Sequence, residues 1–198
     1  MVITMNNTSI YFEEQFNIKF SGSIAALIDS NTKIVRFPRG QTVVHEGDAA
    51  SHIYMIVQGI VRGYYIDADG NDVTKCFSLE GEFFSSEGFR TVGTSSFTIE
   101  CVKDCTCISL PYVFLHELIE KSEQLKALIN TLYARELGRL ERRSQSLLIK
   151  DAEERYNEFI REYPDLIDKV PLKHIASYIG IRAASLSRIR KKLLLNLN

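Results

Sequence analysis

LKHIASYIGIRAASLSRIRK, residues 172–191, carries two helical periods interrupted by a glycine. Counted from Leu172, apolar residues stand at the fourth, eighth, fifteenth and eighteenth places (Ile175, Ile179, Leu186, Ile189), alanine at the fifth (Ala176) and glycine at the ninth (Gly180). This is the spacing of a helix-turn-helix: Ala176 lets two helices cross closely, Gly180 makes the bend, and the apolar set fixes the crossing. The first helix opens after Pro171 and ends at Gly180, a residue suited to a left-handed C-cap. The second starts near Ala183 and buries Leu186, Ile189 and Leu193. At 100° per residue its opposite side carries Ala184, Arg188 and Lys191, flanked by Ser185, Ser187 and Lys192. A face of Arg, Lys and Ser on a second helix fits the major groove of DNA.

Charge outside the motif supports the same reading. The 198 residues have a formal net charge of −1. From Lys169 onward, however, there are seven Lys or Arg and no Asp or Glu. The tail is therefore strongly cationic and the rest of the chain acidic, an asymmetry expected of an anion-binding end. Arg182, beside a helix N-terminus, and Lys173, on the first helix, suit backbone phosphates.

Upstream, residues 31–110 read as β structure. Gly40, Gly47, Gly59, Gly70 and Gly81 separate short segments rich in β-branched and aromatic residues: Ile34–Phe37, Thr42–Val44, Ile53–Val57, Ile60–Ile66, Val73–Phe77, Phe97–Val102 and Thr106–Leu110. Asp69-Gly70 signals a tight hairpin. Asp67-Ala68-Asp69-Gly70 also looks like the start of a calcium loop, but the distal Glu is missing at the right spacing.

Residues 111–163 read as helix. Pro111 suits a first turn and Ser122 can cap a second helix. Leu125, Ile129, Leu132, Leu137, Leu140 and Leu147 then form an apolar stripe with charged residues opposite. Such a stripe packs either on its own chain or on a twin. Residues 151–163 form another amphipathic helix, stopped by Pro164.

Several chemistries are not supported. There is no Ser/His/Asp order, P-loop or dinucleotide fingerprint, so no enzyme activity and no cofactor are expected. No apolar run approaches the ~18 residues of a membrane span, and no membrane association is expected. The N-terminal twenty residues hold no basic residue before Lys19 and no apolar core, so no secretory signal is expected. Four cysteines without such a signal point to a reducing, cytoplasmic setting. Cys76, Cys101, Cys105 and Cys107 read as small buried hydrophobes rather than metal ligands. His45, Glu46, Asp48 and His52, close in sequence, read as polar loop residues, and no metal is expected.

Taken together, Phe37-Pro38-Arg39-Gly40-Gln41, Glu46-Gly47-Asp48, Tyr54-Met55-Ile56-Val57-Gln58-Gly59, Gly81-Glu82-Phe83, Asp151-Ala152-Glu153-Glu154-Arg155-Tyr156 and Ile175 to Arg190 recur in the order found in one family. Over roughly residues 30–195 the chain resembles the Crp/Fnr superfamily of bacterial transcription regulators. The resemblance implies an α+β fold: an N-terminal antiparallel β-roll, jelly-roll-like and related to cyclic-nucleotide-binding domains (residues 1–115), a long connecting and dimerisation helix (116–150), and a C-terminal helix-turn-helix domain (151–198). It further implies a cytoplasmic homodimer, joined through Leu125, Ile129, Leu132, Leu137 and Leu140. That dimer would bind double-stranded DNA at a near-palindromic operator, with RNA polymerase as a further partner. The DNA-binding set is then Lys173, Arg182, Ala184, Ser185, Ser187, Arg188, Lys191 and Lys192, and Arg188 matches the family's guanine-reading arginine.

The sequence departs from the family pattern at two places. Cyclic-nucleotide binders follow a Gly-Glu-Leu turn with Arg-Ser/Thr-Ala, whose Arg pairs the phosphate. Here Gly81-Glu82-Phe83 matches the turn, but Ser95-Ser96-Phe97 stands where the Arg triplet belongs, with Arg90 a displaced candidate. An unpaired buried phosphate costs several kcal/mol, so the effector is expected to be something other than cyclic AMP, or absent. Glu82, Phe83, Arg90, Ser95, Ser96 and Phe97 are the candidate effector-pocket residues. Phe83, Phe84, Phe89 and Phe97 either line an apolar pocket or form core. The recognition helix also begins Arg182-Ala183-Ala184, lacking the family's reading Glu, which implies an altered base preference. With three residues after Leu195, the β-hairpin wing of many members is not expected. The rival readings are a small-molecule-sensing or protein-interaction module with a degenerate helix-turn-helix, and a redox- or metal-responsive regulator using its cysteines.

Overall fold

Alternation and glycine-bounded turns produce eight short strands in the computed structural model, which describes residues 7–49, 51–86 and 93–195. They are β1 (Lys33–Phe37), β2 (Thr42–Val44), β3 (His52–Gln58), β4 (Val61–Ile66), β5 (Asp72–Ser78), β6 (Phe83–Phe84), β7 (Thr98–Cys101) and β8 (Cys105–Pro111). Two four-stranded sheets result, in the orders β1-β8-β3-β6 and β2-β7-β4-β5. β8 pairs antiparallel with β1 on one side (Val35 opposite Cys107) and with β3 on the other (Met55 opposite Ile108). The chain separates into two compact units: residues 1–65 with 76–127, and residues 66–75 with 128–198.

In the first unit the inward side chains of both sheets make one core: Val44, Ile56, Val61, Phe84, Phe97, Ile99, Cys101, Cys105 and Cys107. Gly59, between β3 and β4, is required twice over. Its φ is +119°, and a Cβ there would lie 2.6 Å from Cys105 Sγ and 2.7 Å from the Asp104 carbonyl oxygen. Two N-terminal helices, α1 (Thr8–Phe16) and α2 (Gly22–Asn31), went unread in the sequence. Asp29 ties them together by accepting from the Ser9 amide, 2.7 Å, and the Thr8 hydroxyl, 2.9 Å. α3 (Tyr112–Lys121) follows β8, and Ser122 Oγ accepts the Leu125 amide at the start of the 27-residue α4 (Glu123–Ile149).

The second unit is built on α5 (Ala152–Glu162), a short 3-10 turn (Pro164–Leu166), α6 (Leu172–Tyr178) and α7 (Ala183–Leu195). Asp151 and Glu154 form a reciprocal capping box at the start of α5. An aromatic trio fixes the centre, with Phe159, Tyr163 and Tyr178 at ring separations of 5.3–5.9 Å. Burial raises the Tyr163 phenol well above its ordinary value and raises that of Tyr178 too, so both remain neutral hydrogen-bonding groups. Around them Leu166, Ile175, Ala176, Ile179 and Leu186 are 2% exposed or less.

Candidate nucleic-acid interface

The turn between α6 and α7 is set by local chemistry. Gly180 takes φ +75°, its amide donates to the Ser177 carbonyl, and the Ile181 amide donates to the Ala176 carbonyl. Ala176, 1% exposed, allows the close crossing, and Leu186, fully buried, anchors α7. Ile189 and Leu193, expected to be buried with it, are only half-buried. The Arg182 carbonyl accepts the Ser185 and Leu186 amides and so begins α7.

This anchoring exposes Arg182, Ala184, Ser187, Arg188, Lys191 and Lys192, while Ser185 is half-buried. Arg188 Nη2 lies 3.4 Å from Ser185 Oγ, a weak contact that leaves the guanidinium available. Lys192 differs from its neighbours. It donates to Glu153 Oε2 of α5 at 2.6 Å, and this pairing raises its pKa. The sequence pattern could not show that partner, which lies 39 positions earlier. Lys173 is exposed on α6, with its Nζ 4.0 Å from Asp72 Oδ2. No acidic side chain lies on α7 itself.

In the first unit the described candidate effector residues make separate local contacts. Glu82 Oε2 accepts the Leu79 amide and stabilises its own turn. Phe83 is sandwiched with Phe12 and Phe16 of α1, at ring separations of 6.2 and 5.7 Å. Ser95 is buried and its hydroxyl donates to the Phe97 carbonyl at 2.6 Å, whereas Ser96 is exposed. Phe97 is 3% exposed, and a Cβ on Gly63 would stand 2.9 Å from its ring, so Phe97 and Phe84 belong to the core. Arg90 and Phe89 lie outside the described residues.

Arg62 is the cation that sequence reasoning overlooked. It is 1% exposed, bonded to Glu100 Oε1 at 2.8–2.9 Å, and stacked over Tyr64 at 4.3 Å. Glu100 compensates its charge, so it is not an open phosphate clamp.

The cysteines are all free thiols. Cys101, Cys105 and Cys107 are buried and Cys76 is partly so. The Cys105 thiol donates to the Ile60 and Lys103 carbonyls at 3.5 and 3.2 Å, and burial pushes Cys107 up to about 12. Among the described residues no three His, Cys, Asp or Glu side chains group as metal ligands. Along α4, Leu125 is buried by its own chain, so it lies outside the face available to a twin. Ile129 and Leu132 are half-buried, and Leu137, Leu140 and Leu147 are 59%, 40% and 41% exposed.

Comparison with known proteins agrees with this order of parts. Residues 34–122 match the cyclic nucleotide-binding domain family. The nitrogen fixation regulation protein FixK of Bradyrhizobium diazoefficiens is 28% identical over 170 residues, 80% of this chain and 70% of the relative. The cAMP-activated global transcriptional regulator CRP of Pasteurella multocida is 23% identical over 175 residues, 83% of this chain and 84% of the relative. The chain is homologous to FixK and CRP. Solved structures share the fold. FixK2 from Bradyrhizobium japonicum superimposes with a TM-score of 0.75 at 21% identity, covering 83% of this chain and 85% of that one. A protein assigned to the Crp/Fnr family from Eubacterium rectale gives 0.70 at 17%, covering 89% and 85%. The chain shares the α+β fold of these structures, and the relatives FixK and CRP are named as regulators rather than enzymes.

Proposed function

We propose that this Crp/Fnr homologue works as a cytoplasmic homodimer that inserts α7 of each subunit into successive major grooves of a near-palindromic operator. Functionally, residues 1–115 act as the sensor, 116–150 as the connecting and dimerisation helix, and 151–198 as the DNA reader. The observation that carries this reading is the acid-free outer face of α7, with Arg182, Ser187, Arg188 and Lys191 exposed while Leu186 is fully buried beneath. Arg188 reads a base edge, with Ala184, Ser185 and Ser187 bordering it. Lys173, Arg182, Lys191 and, once released from Glu153, Lys192 neutralise phosphates. Leu137 and Leu140, with Ile129 and Leu132 beside them, meet the twin's stripe.

Further partners follow from the same assignment. RNA polymerase is the expected protein partner, and no enzymatic reaction is assigned. Among the described residues no helix is long and apolar enough to cross a membrane. Any effector is expected to be other than cyclic AMP, because Ser95 stands where the resemblance would place the phosphate-pairing arginine and Phe97 occupies the core. Selection from a random duplex pool by the purified full chain tests the proposal. It should yield a two-fold motif with half-sites about one helical turn, ~34 Å, apart and two chains per duplex. Recovery of no enriched motif at low salt would refute it.

A further inference from the structure

The hairpin joining β4 to β5 has an acidic tip. Residues 66–75 include Asp67, Asp69 and Asp72 against a single cation, Lys75. The tip is shaped by Asp67, whose Oδ1 accepts the Asp69 and Asn71 amides at 3.0 and 2.8 Å, and by Gly70 at φ +81°. This segment belongs to the same compact unit as the helix-turn-helix.

Its contacts there are specific. The Thr74 amide donates to Ser177 Oγ on α6 at 2.8 Å, and the Ser177 hydroxyl donates to the Asp72 carbonyl at 3.2 Å. One hydroxyl thus joins two backbone groups of β5. Arg143 of α4 clamps both elements, donating to the Thr74 carbonyl at 3.0 Å and to the Tyr178 carbonyl at 2.9 Å. The result holds the Asp72 carboxylate 4.0 Å from Lys173 Nζ and 4.0 Å from His174 Nδ1.

We propose that this hairpin tip is an autoinhibitory latch: Ser177 and Arg143 pin it to the first helix of the helix-turn-helix, where Asp72 occupies Lys173 in place of a DNA phosphate. The inference deepens the DNA-binding reading above and rests on it. A carboxylate beside a phosphate-contacting lysine weakens DNA binding twice, by taking the lysine's charge and by repelling the incoming backbone. The pair is largely solvated, so the effect is modest and salt-dependent. Because the tip continues into β4 and β5, a change in those strands reaches Lys173 through covalent chain. The latch is therefore a route by which the sensor governs DNA affinity.

The test uses the full chain, a fluorescent mixed-sequence duplex, and the duplex recovered by pool selection. Asp72→Asn should bind both about two- to fivefold tighter at low salt, with the gain fading at high salt. Asp69→Asn removes the same charge three residues away and should gain less than half as much. Hydrogen exchange supplies a second readout. The Thr74 amide should exchange faster when duplex is added, and faster in Ser177→Ala without duplex. Equal tightening by Asp69→Asn and Asp72→Asn, or Thr74 protection unmoved by duplex, would overturn the latch alone. Failure of every variant to retain either duplex would overturn the DNA-binding reading and the latch with it.

Discussion

Replacing Leu186 with alanine is the most informative single perturbation of the reader. The side chain is fully buried and is the sole residue of α7 with that degree of burial among those described. Removing three carbons from a fully packed leucine loses their transfer free energy and leaves a cavity, together costing roughly 3–5 kcal/mol. Leu194, on the same helix but 64% exposed, is the matched control. Its replacement by alanine should fall within about 0.5 kcal/mol of wild type. A chain with two compact units need not unfold in one step, so a global midpoint is a poor readout. Hydrogen exchange followed by mass spectrometry on peptides covering α6 and α7 reports the local opening directly. Leu186→Ala should accelerate exchange there and abolish DNA retention, leaving peptides of β3 and β8 unchanged. If Leu186→Ala and Leu194→Ala exchange alike, the helix is not anchored as described and the burial argument fails.

Other outcomes follow from the same geometry. Lys191→Ala should weaken binding to all duplexes alike and make the salt slope shallower by about one unit, measured by anisotropy titration across a salt series. Gly59→Ala forces a Cβ into contacts of 2.6–2.9 Å and a left-handed backbone, so the β-roll should lose stability by urea denaturation while Gly70→Ala, with open space around it, loses less. Leu137→Asp should leave the chain folded but monomeric by sedimentation, with DNA binding lost. Glu158 accepts from Lys150 and Ser146, which holds its carboxyl below the ordinary value of 4.5. Its stabilising contribution is present above that value and is lost as pH falls through the lowered one. The stability gap between wild type and Glu158→Gln should therefore narrow on acidification below about 4.5, measured by denaturation at stepped pH.

Much of this fold was legible because its signals are local. Strands β1 to β5 are short runs containing β-branched residues, each followed by a turn with a glycine. The helix-turn-helix is encoded by Ala176, Gly180 and Leu186 within one short window. What escaped depends on partners distant in sequence. α1 is held by Asp29, which accepts from Thr8 and Ser9, and by Phe83 stacking on Phe12 and Phe16. None of these pairings leaves a pattern inside the nine residues of the helix itself. β6 is only two residues long, too short for any alternation to register. Leu125 shares the periodicity of Leu137 and Leu140, yet its own chain buries it, a distinction spacing alone does not carry.

The reader itself was legible to different depths. The outward set on α7 follows from helical geometry, so Arg188 and Lys191 stand where the period places them. Their electrostatic surroundings do not follow. Glu153 on Lys192 and Asp72 beside Lys173 come from other elements, and each changes what its lysine offers DNA. Ser177 shows the same gap, since a hydroxyl on the first helix gives no sign in sequence that it bridges two groups of β5.

The central claim is that the outer face of α7 chooses the bases, and one comparison tests it most directly: wild type and Arg188→Ala selected side by side on the same randomised duplex library. Arg188→Ala should lose about 1–3 kcal/mol on the wild-type motif and show relaxed preference at a single position in each half-site. An unchanged motif with unchanged selectivity would contradict the account.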